Sequence, residues 1–129
     1  MSVFLDTNVL VAAVTADTER SDAAVDLLNS ADDPYVSVLN LMELRSVLAK
    51  KKQFERERIE QIEPRISSRA AVTVPDASDV MAANQLQSET LLYPMDALVL
   101  AAADAVDATL VTFDRELVEF GAKTPEDLS

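Results

Sequence analysis

Two hydrophobic rhythms run along the 129-residue chain. Short apolar runs fall at 3–5, at 35–38, at 71–74 and at 109–112, and each reads as a strand. Between them, apolar residues recur every three or four positions, which reads as helix. The pattern predicts a helix over 9–14 and a second one capped by Ser21 or Asp22, with Ala24, Leu27 and Leu28 inward after a polar break at 17–21. It predicts a third over 39–50, carrying Leu44, Val47 and Leu48 on its apolar face, and a charged fourth over 55–67 with Ile59, Ile62 and Ile66 as the inner stripe. Pro75 and Asp76 open a fifth, with Val80, Ala83 and Leu86 inward. Asp96 opens a strongly apolar sixth over 97–106, and a short seventh covers 115–120. A small edge strand is expected near Ala122 and Lys123. Strands that alternate with helices argue for a parallel sheet covered on both faces, an α/β domain of three layers. No repeat or linker divides residues 1–129, so one domain is expected.

The composition narrows the chemistry. There is no cysteine, which excludes disulfides, iron–sulfur clusters and thiolate zinc sites. There is no histidine, which removes the usual base of nucleophilic triads and a common metal ligand. With Gly121 as the single glycine, neither a phosphate-cradling loop nor a dinucleotide fingerprint can form. Carboxylates remain: 23 acidic side chains stand against 11 basic ones, for a net charge of −12. The chain begins directly with a strand, without a basic leader, and no apolar run is long enough to span a bilayer. A cytoplasmic protein without membrane contact is expected.

Four acids occupy corresponding places. Asp6 ends the first strand, and Asp114 follows the fourth. Glu43 lies one turn into the helix after the second strand, between Leu39 and Val47 at i−4 and i+4, and is therefore expected to turn inward. Asp96 opens the apolar helix. In a doubly wound sheet these ends gather at one edge, where ligands bind. Each acid also has a structural explanation: the aspartates as helix caps, Glu43 as a solvated helix residue. Together they raise an electrostatic problem, because two carboxylates about 4 Å apart repel by about 4 kcal/mol at an effective dielectric of about 20. A shared pocket takes up protons or a cation. With oxygen ligands alone, the fitting ion is Mg2+ or Mn2+, and such a site suits phosphodiester hydrolysis.

The motifs Leu5-Asp6-Thr7-Asn8-Val9-Leu10, Ser37-Val38-Leu39-Asn40-Leu41-Met42-Glu43-Leu44, Asp96 before an alanine-rich helix, and Leu110-Val111-Thr112-Phe113-Asp114 together resemble a PIN-domain ribonuclease. Within that family the chain is most similar to the VapC-type toxins of toxin–antitoxin pairs. The resemblance covers nearly the whole chain. It implies a PIN-like three-layer α/β/α sandwich and metal-dependent cleavage of single-stranded RNA, with Asp6, Glu43, Asp96 and Asp114 as the acidic cluster. Asn8, Ser37 and Thr112 match supporting polar positions. It also implies a homodimer and a cognate antitoxin that masks the site.

The overall charge sits awkwardly with RNA. Eight of the eleven basic residues fall within 45–69, a segment of net charge +4 in an otherwise acidic chain. Arg45, Lys50, Lys51 and Lys52 begin this patch on the helix that carries Glu43. They can steer a phosphate backbone, form a solvated helical face, or dock an acidic antitoxin segment. The exposed apolar side of the first two helices is one candidate for a dimer contact. Two other readings compete. A phosphoryl-accepting receiver domain needs an acceptor aspartate on the third strand and a lysine after a later one, and both are missing. A catalytically silent PIN-like module that binds RNA or protein remains the alternative to an enzyme.

Overall fold

The computed structural model describes residues 2–16 and 19–128. Its architecture follows from the alternation of side chains along one strand. In β1 (Ser2–Leu5), Val3 and Leu5 face one side of the sheet and Phe4 faces the other. The chain continues through α1 (Thr7–Thr15), α2 (Glu19–Ser30), β2 (Asp33–Ser37), α3 (Val38–Lys50) and α4 (Arg56–Arg69). It then forms β3 (Ala71–Thr73), α5 (Ala77–Glu89), α6 (Pro94–Ala105), β4 (Thr109–Val111), α7 (Arg115–Glu119) and a 3₁₀ turn at Glu126–Leu128.

The strands are parallel and ordered β3-β2-β1-β4. Val3 and Leu5, with Val111 of β4, pack on Val9, Leu10, Leu44, Leu48, Ile59 and Ile66 from α1, α3 and α4. Phe4 and Leu110 pack against Ala83, Ala97, Val99 and Leu117 from α5, α6 and α7. This is the expected α/β/α sandwich. The chain moves from β1 outward to β3, then crosses to β4 on the other side of β1. Strand order therefore reverses beside β1, the place where open parallel sheets build their sites. The expected edge strand is reduced to one parallel bridge between Val111 and Lys123. Among the described residues, no helix is long and apolar enough to cross a membrane.

Several expected boundaries move, each for a local reason. Val38 belongs to α3 rather than to β2, because the Ser37 hydroxyl caps the helix by accepting from the Leu39 N–H at 3.1 Å. The strand reaches back instead to Asp33 and Pro34, which pair with Ser2 and Val3. Helix α2 already runs from Glu19, so Ser21 and Asp22 lie in its first turn rather than at its cap. Residues 17 and 18 of the expected polar break lie outside the described residues. Helix α6 starts at Pro94, whose fixed φ and missing N–H suit a first helical position, so Asp96 sits within the first turn. Val80 is half exposed rather than inward: α5 is an outer helix that fully buries only Ala83.

Pro64 lies inside α4. It lacks the N–H that would bond to the carbonyl of Glu60, and its ring crowds that turn. The residue is exposed, so no core contact offsets the defect. Pro64→Ala is therefore expected to stabilise the fold by about 1–2 kcal/mol, read as a higher midpoint in chemical denaturation. An unchanged or lower midpoint would show that the proline is accommodated without cost.

Candidate active site

At the C-terminal ends of β1, β2 and β4 lies a cleft of about 490 Å³. Asp6, Glu43, Asp96 and Asp114 all line it, brought together from four separate parts of the chain. The helices α1 and α3, which cover the same face of the sheet, contribute Val11, Ala12 and Val47 to the lining.

Asp6 is the most buried of the four, about 9% exposed. Its backbone N–H donates to the Val111 carbonyl at 3.0 Å, tying the end of β1 to β4. One carboxylate oxygen accepts from the Thr7 N–H at 2.8 Å, so Asp6 is also the N-cap of α1. Cap and site residue are one and the same group. The other oxygen accepts from the Thr112 hydroxyl at 2.8 Å. Burial pushes the Asp6 carboxyl above its ordinary range; the bonds from Thr112 and Thr7 pull it back, and the charges of Glu43 and Asp114 push it up again.

Thr112 is the hub of the polar network. It is fully buried. Besides donating to Asp6, its oxygen accepts from the Asn8 side-chain amide at 3.1 Å and from the Asp114 N–H at 3.0 Å. The Asn8 oxygen accepts from the Phe113 N–H at 3.1 Å. Asn8 thus supports Asp6 through Thr112 rather than by direct contact. Asp114 caps α7, accepting from the Glu116 N–H at 2.9 Å.

Asp96 is half-buried in the first turn of α6 and, among the described residues, takes part in no side-chain hydrogen bond. Burial, together with repulsion from Asp114, Asp6, Glu116 and Glu43, raises its carboxyl from 3.8 to about 6. Negative charge is crowded at this edge with little internal relief. Glu43 lines the cleft one turn before Val47, but it is exposed rather than turned inward, because the cleft is open on that side.

Sequence pattern alone missed Asn40. It is fully buried. Its oxygen accepts from the Ser37 N–H at 3.2 Å, completing a capping box. Its amide donates to the Thr7 hydroxyl at 3.0 Å and, at a long 3.4 Å, to Asp6. Ser37 supports the site by starting α3 at the right place. The readable signal was the spacing Ser37-x-x-Asn40 ahead of an apolar run.

The basic patch divides. Lys51 and Lys52 line the acid cleft, whereas Lys50 and Arg45 do not. Arg45 turns toward α4, 3.9 Å from Glu60 and 3.8 Å from Glu63. Arg58, Arg65 and Arg69 border a separate groove of about 420 Å³ floored by Val14, Leu28, Ile62 and Ile66. Arg20, outside the patch, joins the cleft lining instead.

The donor chemistry suits a hard cation: the acids offer only carboxylate oxygens, and their mutual repulsion is what a divalent ion relieves. Among the described residues no three acids form a ready-made cage.

A family model described as PIN domain matches residues 3–123, nearly the whole chain. The chain belongs to the PIN-domain family. This PIN domain is also similar to several solved structures. One is VapC20 of Mycobacterium tuberculosis, a sarcin–ricin loop cleaving toxin, at 21% identity and a TM-score of 0.78, covering 93% of this chain and 95% of that one. Another is a toxin–antitoxin complex from Klebsiella pneumoniae, at 23% identity and a TM-score of 0.74, with coverages of 95% and 97%. A third is FitAcB of Neisseria gonorrhoeae, at 25% identity and a TM-score of 0.75, with coverages of 96% and 98%. No curated protein sequence matches the chain.

Proposed function

We propose that this PIN domain is a metal-dependent endoribonuclease that cleaves single-stranded RNA, and that it is the toxin of a toxin–antitoxin pair. The observation that carries the reading is the convergence of Asp6, Glu43, Asp96 and Asp114 on one cleft at the strand-order reversal. Its likeness along nearly the whole chain to a toxin and to a toxin–antitoxin complex supports the second half.

Asp6, Asp96, Glu43 and Asp114 would hold Mg2+ or Mn2+. Such an ion, when bound, activates water, holds a phosphate oxygen and offsets charge on the leaving group. The chain's own groups prepare the place. Thr112 and the Thr7 N–H fix the orientation of the Asp6 carboxylate. Asn8 and the Asp114 N–H in turn fix Thr112. Asp96 and Glu43, which among the described residues take part in no side-chain hydrogen bond, are the acids free to adjust to a ligand. Lys51 and Lys52 place positive charge on the cleft wall, where an RNA backbone needs it.

The antitoxin belongs to the same proposal. The groove rimmed by Arg58, Arg65 and Arg69 over an apolar floor suits an acidic amphipathic segment of that partner. A homodimer is also part of it. The large exposed apolar residues among those described are Met42 and Phe120, and a run of six from Val72 to Tyr93 (Val72, Val74, Val80, Met81, Leu91, Tyr93), so a second copy is to be sought at that run before the half-buried apolar side of the first two helices.

The test is incubation of purified protein with single-stranded RNA in Mg2+, in Mn2+ and in EDTA, beside Asp6→Asn. Cleavage is expected with either metal, absent in EDTA and lost in the variant. Cleavage that survives EDTA or the substitution would refute the site. Metal-supported RNA binding without any cleavage would instead favour a silent binding module.

A further inference from the structure

Of the residues that line the acid cleft, three are cations: Lys51 and Lys52 just beyond α3, and Arg20 in the first turn of α2. Arg20 stands apart in its setting. Its guanidinium carbon lies 4.7 Å from the centroid of the Phe113 ring. Phe113 sits between Thr112 and Asp114, and its N–H is held by Asn8. The ring that carries the guanidinium is thus anchored by the network that orients Asp6. Among the described residues Arg20 forms no salt bridge with the cleft acids, although four of them line the same cleft.

We propose that Arg20 is a positioning residue that binds the phosphate adjacent to the scissile one, with Phe113 as its platform. The inference rests on the ribonuclease reading and adds a strand path to it. A single strand with one phosphate at the acids must bring its neighbours across a wall of like charge, in a protein of net charge −12. A fixed cation is needed beside the acids on each side. Lys51 lies two turns past Glu43, about 12 Å along α3, so it serves the more distant phosphates on one wall. Arg20, seated on the ring of the residue before Asp114, serves the adjacent phosphate. Its planar fork pairs two N–H groups with two phosphate oxygens, which a lysine cannot do. Stacking on an aromatic ring uses the flat face of the guanidinium and leaves those N–H groups at its edge available.

The test uses the Asp96→Asn chain, so that RNA is bound without being cut. Affinity for a single-stranded RNA oligonucleotide is followed by fluorescence anisotropy in Mg2+ over a range of salt concentrations. Arg20→Ala is expected to weaken binding at least about tenfold and to reduce the slope of log K against log salt by about 0.7, the loss of one phosphate contact on a single strand. Arg20→Lys restores the slope but only part of the affinity. Phe113→Leu keeps the slope and loses part of the affinity. In the otherwise unaltered chain, Arg20→Ala raises KM while kcat stays within about threefold. Arg20 is exposed, so its variants fold; Phe113 is half-buried against the core, and matched thermal unfolding checks both. If Arg20→Ala leaves both affinity and slope unchanged while the parent cleaves RNA, the phosphate role is overturned and the nuclease reading stands. If the parent neither binds nor cleaves RNA, both are overturned.

Discussion

Asp96→Asn is expected to lower RNA cleavage by at least about a hundredfold while making the metal-free protein more stable. The two effects share one cause. Asp96 sits half-buried among Asp114, Asp6, Glu116 and Glu43, and its carboxyl is raised from 3.8 to about 6. A raised carboxyl holds its proton more tightly in the folded chain than in the unfolded one. Between those two values the folded state binds more protons, so stability falls as pH rises. Above about pH 6 the penalty is fully present. The full shift corresponds to about 3 kcal/mol. The group is partly exposed, and solvent screening reduces this to about 1 kcal/mol. Asparagine removes the charge and with it the penalty.

In EDTA at pH 7.5 the variant should therefore melt about 4 °C above the parent. At pH 4 the two should coincide, because Asp96 is already protonated in the folded parent. Added Mg2+ should raise the parent's melting temperature more than the variant's, since a ligand that binds only the folded state stabilises it in proportion to its occupancy. Equal melting temperatures at pH 7.5, or a variant less stable than the parent, would show that neither burial nor the neighbouring acids penalise the Asp96 charge. Full activity in the variant would remove Asp96 from the proposed metal set. The opposite movement of activity and stability marks a residue kept for what it binds rather than for what it packs against.

The order of elements was legible because the chain changes period cleanly. Val3, Phe4 and Leu5 are buried on both faces of a sheet, and the stripe of Ile59, Ile62 and Ile66 is buried on one face of a helix. Boundaries were less legible where a cap decides them. Ser37 and Asn40 turn a stretch that reads as strand into helix one residue early. Pro94 starts α6 ahead of the aspartate that seemed to open it. The gathering of Asp6, Glu43, Asp96 and Asp114 followed from the topology of a parallel sheet, since strand ends and the first turns of the following helices share an edge. Whether Glu43 turns inward depends on how open the cleft is, which its apolar neighbours at i−4 and i+4 cannot reveal. The division of the basic patch was hidden for a similar reason. Arg45 sits beside Glu43 in sequence, but Glu60 and Glu63 draw it toward α4. Arg20 and Phe113 meet only in the folded chain, and no local pattern joins them.

Thr112→Val should act in the opposite direction to Asp96→Asn and cost about 3 kcal/mol of stability, a fall of about 10 °C in the melting temperature. Valine matches threonine in shape, so the packing around this fully buried position is kept. The loss is confined to hydrogen bonds. The hydroxyl donates to Asp6 at 2.8 Å, and its oxygen receives the Asn8 amide and the Asp114 N–H at 3.1 and 3.0 Å. The bond to a buried carboxylate is charge-assisted and contributes about 1.5–3 kcal/mol, and the two donors left without an acceptor add to the cost. The same change acts on titration. Thr112 is the largest influence holding the Asp6 carboxyl down against burial. Without it Asp6 is raised further, and a raised carboxyl loses stability as pH climbs through its folded value. The deficit of Thr112→Val relative to the parent should therefore grow as pH rises from the acid range to pH 8, because protonation of Asp6 at low pH removes the charge from the lost bond. Thr112→Ser keeps the hydroxyl and should recover most of the lost stability. A deficit below about 1 kcal/mol, or one that does not change with pH, would show that the Asp6 carboxylate does not depend on this hydroxyl. Within one cleft, then, removing an acid is expected to relieve the fold and removing the hydroxyl beside another acid to weaken it: the Asp6 carboxylate is held by two hydrogen bonds, whereas Asp96 has burial and like charge around it.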